Sequence, residues 1–205
     1  MSLINFIDID TAYTQTEDIY KLIQNDGNKI IKDLEKLCLD LKEKWTAQDA
    51  PIHINNLVAI HTNLKKYFIA STTMIVEVSN RVVDIQEAVS RISKSTVPGI
   101  NLIDQFEGTK DTEEEDSSVS YKLESLQEDY RLLDEICSSF MAFKNTYALE
   151  FDEFFENWKD DPKKKKIEET YDGFIKNLDD YQKILEDTRQ ALGIATANTE
   201  QILEG

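Results

Sequence analysis

Apolar residues recur along this chain at steps of three, four and seven, the period of one face of an α-helix. Ile19, Leu22, Ile23, Ile30, Leu34, Leu37, Leu41 and Trp45 fall in that register and predict a helix over about residues 10–45. Asn25-Asp26-Gly27-Asn28 interrupts it. A glycine inside a helix costs roughly 1 kcal/mol, so a kink or short break is expected there. Pro51 and Ile52-His53-Ile54 follow, and a second helix is predicted over about residues 55–93. Its apolar face carries Leu57, Ile60, Leu64, Phe68, Ile75, Val78, Val82, Ile85, Val89 and Ile92. The stretch Ile69 to Val78 is rich in β-branched residues, which weaken helix propensity. The helical period continues on both sides of it, which favours helix over strand.

Residues 96–118 form a linker, with a Pro98-Gly99 turn signal and an acidic run from Asp111 to Ser118. Ile100 to Phe106, between them, is an apolar segment that could dock on the helices or not. Leu126, Leu133, Ile136, Phe140, Phe143, Tyr147, Phe151, Phe154 and Trp158 then mark a helix over about residues 119–158. Asp161 is a natural N-cap, with Pro162 in the first helical position. The last helix is expected to reach about residue 200, with Ile167, Tyr171, Phe174, Leu178, Tyr181 and Leu185 on one face. Lys163 to Lys166 oppose the positive end of its dipole, as a solvated tip or a patch for an acidic partner.

The two tryptophans align the halves. Counting back from Trp45, apolar residues stand at Leu41, Cys38, Leu34, Ile30, Ile23 and Ile19; counting back from Trp158, the same offsets hold Phe154, Phe151, Tyr147, Phe143, Ile136 and Leu132. Periodicity alone does not place a tryptophan at the end of both first helices and a proline shortly after each. The halves therefore read as copies of one unit, residues 1–95 and 119–205, each a helix, a Trp-containing turn and a helix. A lone amphipathic hairpin exposes its apolar stripe; two of them bury it as an all-α four-helix bundle. The tandem chain thus reads as a dimer fused into one polypeptide, the second hairpin held at an effective concentration of roughly millimolar. Pairing within one chain, as a monomer, or exchange between two, as a homodimer, both satisfy the pattern.

Charge narrows the partners. The chain carries 23 Lys+Arg against 40 Asp+Glu, a net charge of −17. The excess sits in the second half, where residues 101–205 hold 12 basic and 27 acidic side chains. Such a surface repels phosphate backbones and anionic lipid, so no nucleic-acid partner is expected. No run approaches the roughly 18 apolar residues a membrane span needs. Met1 to Phe6 lacks a basic region followed by an apolar core, so no Sec leader is expected.

A helical hairpin of half this chain's length with tryptophan in the turn resembles the WxG (ESAT-like) family of type VII (ESX) secretion proteins. The resemblance spans nearly the whole chain, once per half. It implies helical hairpins that pair, export in folded form without a Sec signal, and protein partners such as the secretion machinery or another WxG-like protein. It also points to the turn residues Trp45, Ala47, Trp158 and Asp160. The family has Trp-x-Gly there; this chain reads Trp45-Thr46-Ala47 and Trp158-Lys159-Asp160. The family's Tyr-x-x-x-Asp/Glu signal follows the second helix; here that spacing occurs at Tyr13/Glu17 and Tyr130/Asp134, early in each first helix, at the frequency chance allows.

No GxSxG, P-loop, GxGxxG or HExxH pattern occurs, and no Glu-x-x-His of the ferritin-like kind. His53 and His61 lie eight residues apart without a carboxylate spaced to complete a metal set. Cys38 and Cys137 sit within apolar helical patterns as small buried hydrophobes. The expectation is a non-enzymatic protein–protein interaction module without cofactor or metal, secreted through the type VII route. The alternative is a cytoplasmic helical adaptor or chaperone.

Overall fold

Asp8 opens the first helix. Its backbone is extended (φ −131°, ψ 116°), and its carboxylate accepts from the amides of Asp10 and Thr11. This satisfies donors that a helix start otherwise leaves unpaired. A computed structural model describes residues 6–93, 123–159 and 162–204, with side chains described except at 81, 83–93, 123–125 and 199–204. Over these residues the chain is all-α. Helix α1 (Ile9–Leu22) passes through a single π turn (Ile23–Gly27) into α2 (Asn28–Lys44); α3 (Ala50–Ser93), α4 (Leu123–Asn157) and α5 (Pro162–Glu204) follow. The four helical stretches pack together. The one β-type pairing among the described residues is an isolated antiparallel bridge between Phe6 and Trp158.

Two boundaries differ from the expectation. At Asn25–Asn28 the helix does not break; it widens into the π turn, and Gly27 lies buried there. The reason is close packing: a Cβ on Gly27 would lie 2.9 Å from Cε2 of Phe68, whose ring is itself fully buried. The glycine that weakens the helix locally lets an aromatic ring reach its backbone. Helix α3 also starts earlier than expected, at Ala50. Pro51 falls in its first turn, where a missing N–H breaks no helical bond, so Ile52, His53 and Ile54 are helical. The β-branched stretch from Ile69 to Val78 is helix throughout. The linker 96–118 with its segment 100–106, and Asp160 and Asp161, lie outside the described residues.

Contacts gather the chain into two compact units. One holds residues 6–27, 67–93, 143–159 and 162–176; the other holds 28–66, 123–142 and 177–204. Each contains the tryptophan turn of one half and helix ends of the other. The first has an aromatic core built on Phe6, Phe68, Phe143, Tyr147, Phe151, Phe154, Trp158 and Phe174. The second has a largely aliphatic one that includes Ile30, Leu34, Leu41, Leu57, Leu64, Leu133, Leu178 and Leu185. Of the twelve residues that align the two halves, all are buried except Leu132, which is half-buried beside the buried Leu133.

Two glycine substitutions separate packing from propensity. Gly27→Ala should destabilise the fold by about 1–3 kcal/mol, because the buried Phe68 ring must move. Gly173→Ala, on an exposed face of α5 with nothing within 4 Å of the added methyl, should stabilise it by about 0.5–1 kcal/mol. Chemical denaturation of both variants beside the parent chain checks the opposite signs.

Candidate functional site

The Trp45 turn belongs to the second unit. The Trp45 amide donates to the carbonyl of Leu41 (2.9 Å), extending the helical bonding past Lys44. The chain then turns through Ala47, whose carbonyl accepts from the amide of Ala50 (3.1 Å) and closes the turn into α3. Ala47 is exposed. The Trp45 ring is 5% exposed and stacks on His53, one turn into α3 (centroids 5.4 Å apart, planes at 20°). Its Nε1 is buried without a hydrogen-bond partner. His53 in turn lies 3.4 Å from the Thr188 hydroxyl and 4.0 Å from Asp49.

Beside this turn lies a buried charge. Asp129 of α4 is 3% exposed, and one of its carboxylate oxygens meets Lys44 Nζ at 3.3 Å. The other oxygen is buried without a partner. Burial pushes this carboxyl above the usual carboxylate range; Lys44 pulls it down, while Asp40 and Glu128 push it up. Lys44 is shared with Asp40 (3.7 Å).

The Trp158 turn belongs to the first unit and is built differently. Trp158 is 2% exposed and packs on Phe154 (centroids 5.5 Å) and on Phe6 from the start of the chain (5.3 Å, planes at 26°). The preceding residue, Asn157, binds that starting segment. Its carbonyl accepts from the amide of Ile7 (2.8 Å), its Oδ1 accepts from the amide of Asp8 (2.8 Å), and its Nδ2 donates to the carbonyl of Asp8 (2.7 Å). Lys164 Nζ donates to the Trp158 carbonyl (2.9 Å) and lies 3.6 Å from Glu168. One member of the lysine run is thus tied to the turn. Asp160 lies outside the described residues.

Next to this turn is an open cleft of about 490 Å³, lined by Asp152, Phe155, Glu156, Lys164, Glu168, Tyr171 and Asp172. The Tyr171 hydroxyl donates toward the Ala148 carbonyl (3.2 Å) and Asp152 (3.4 Å). Burial and the Asp152 carboxylate push that hydroxyl's acidity down. Among the described residues no group of three or more His, Cys, Asp or Glu side chains could hold a metal ion, and none of their helices is long and apolar enough to cross a membrane. Cys38 and Cys137 are free thiols, each pushed up to about 11 by burial. A thiol at that value holds little nucleophilic thiolate near neutral pH. Tyr13 donates to Glu17 (2.9 Å), a bond one helical turn long.

Sequence periodicity located both tryptophans and placed them at turns. It did not find Asn157, Phe6 or Asp129, because their partners lie more than eighty residues away along the chain. The only available signals were an asparagine directly before the second tryptophan and an aspartate inside an apolar pattern.

Trp158→Ala should destabilise the fold by about 3–5 kcal/mol, as expected for a buried large ring; an unchanged denaturation midpoint would contradict that role. Lys44→Ala should cost roughly 1–3 kcal/mol at neutral pH by stranding the Asp129 carboxylate. Because burial raises the folded-state pKa of Asp129, that stranded charge is relieved as pH falls through it. The deficit of Lys44→Ala against the parent should therefore shrink from pH 7 toward pH 4, as paired denaturation curves would show.

Compared with protein-family models, curated protein sequences and solved structures, the chain matches none.

Proposed function

We propose that this chain is a non-enzymatic, tandem WxG-like protein, two helical hairpins joined in one polypeptide, that works through protein–protein contacts as a substrate or accessory of a type VII secretion system. The observation that carries the reading is the repeat itself. Two helices end on the only two tryptophans of the chain, and the residues at matching offsets behind them are buried in both halves, Leu132 partly so. Each turn sits in a compact unit with helix ends of the other half, in keeping with hairpins that complete one another's core. The partner in this reading is a protein, either the secretion machinery or another WxG-like chain.

The departures from Trp-x-Gly, at Ala47 and Asp160, favour one alternative: a cytoplasmic helical adaptor or chaperone with the same hairpins.

Export separates the two. The native gene, tagged and expressed in its own host, should yield protein in the medium only when the type VII ATPase is active. Retention in cells of both strains, with lysis controlled, would reject the secretion reading in favour of the adaptor.

A further inference from the structure

Residues Phe6 to Asp8 are bound to the Trp158 turn as a short extended peptide is bound to a receptor. They precede the helix that Asp8 caps, and Phe6 pairs with Trp158 in the isolated antiparallel bridge. The binding divides into two parts. Asn157 makes three hydrogen bonds to this segment, all to its peptide groups: the N–H of Ile7, and the N–H and C=O of Asp8; its Nδ2 also donates toward Gln15 Oε1 of α1 (3.5 Å). The Phe6 ring, fully buried, supplies the side-chain part by packing on Phe154 (5.8 Å) and Trp158 (5.3 Å). Ile7 between them points away and is 71% exposed. Main-chain bonds for affinity and a pocket for one side chain, Phe6, for selectivity are elements of recognition by strand addition.

We propose that the Asn157–Trp158 turn is a receptor for an extended, phenylalanine-bearing peptide, occupied in cis by Phe6–Asp8, and that it accepts the same segment of a second copy of this chain when its own is released. The occupant is the one seen seated in the site. The first turn offers no counterpart: Lys44 stands where Asn157 does and pairs with Asp129, and Trp45 is covered by His53 of its own hairpin. A segment held by three main-chain hydrogen bonds and one ring opens locally, without unfolding the helices. Its release uncovers the faces of Phe154 and Trp158 together with the Oδ1 and backbone carbonyl of Asn157 that had accepted from it, a surface that favours re-occupation. The cis segment acts at an effective concentration on the order of millimolar or higher, so an intact chain keeps its site closed to competitors. The proposal is independent of whether the chain is exported.

The test uses the full chain and a fluorescein-labelled peptide with the sequence of residues 4–10, Ile-Asn-Phe-Ile-Asp-Ile-Asp, followed by anisotropy. Phe6→Ala, which empties the pocket, should bind the peptide at least tenfold more tightly than the parent chain. Replacing the peptide's phenylalanine by alanine, or adding Asn157→Ala to the Phe6→Ala chain, should remove at least tenfold of that affinity. Equal binding by the parent and a folded Phe6→Ala chain, or none by either, would overturn the proposal. Should Phe6→Ala fail to fold, hydrogen exchange on the parent chain decides. Exchange of the Ile7 and Asp8 amides well ahead of the α1 interior supports a releasable segment, and exchange only with global unfolding overturns it.

Discussion

Four rings pack on Tyr147: Phe143 and Phe151 from its own helix, and Tyr171 and Phe174 from α5. Its hydroxyl, buried with the ring, pairs with the Ser71 hydroxyl of α3 at 3.0 Å. An aromatic stack tolerates sliding, but a buried hydroxyl does not tolerate losing its partner. This one bond therefore sets the register of α3 against α4, while the rings around it bring in α5. Burial holds the phenol neutral well above its ordinary range, so it remains available for the bond at all physiological pH. The close approach of Phe68 to Gly27, and of Phe68 to Phe143 (5.1 Å), extends the same cluster to the first helical stretch.

Among its described residues the second unit is built differently. Its core is mainly aliphatic, and close packing of Leu and Ile specifies register less directionally than a buried hydrogen bond does. Its polar contacts bridge separate helices instead: Lys44 to Asp129, Arg189 to Asp134 (2.6 Å), and His53 beside Thr188. The Asp129 pair is the costly member, since one carboxylate oxygen is buried without a partner. Charge burial of this kind adds little net stability but penalises alternative pairings that would strand it.

Both indole rings are closed off, by His53 at one turn and by Phe6 at the other. Their first role is to seal the turn of the unit each belongs to. A partner that engages the turns of the closed chain meets their neighbours: exposed Ala47 at the first, and the carboxylate-lined cleft with Lys164 at the second. The two turns are thus alike in sequence position and unlike in chemistry.

Periodicity alone determined the helices and their apolar faces, because a helix forced to bury one stripe must write that stripe into its sequence at three- and four-residue steps. Leu34, Leu41, Phe143, Phe151 and their companions were legible for that reason. What covers each tryptophan was not. His53 lay eight residues beyond Trp45 in what read as a connection, and became a stacking partner only because Pro51 could enter the first turn of α3. Phe6 lay 152 residues before Trp158, and no local pattern encodes a contact across that distance. The irregularity at Gly27 was readable, but not the close approach behind its glycine, since the ring of Phe68 arrives from another helix. Local propensity acts within a turn or two of helix; the identity of the surface that meets it is decided only when the helices pack.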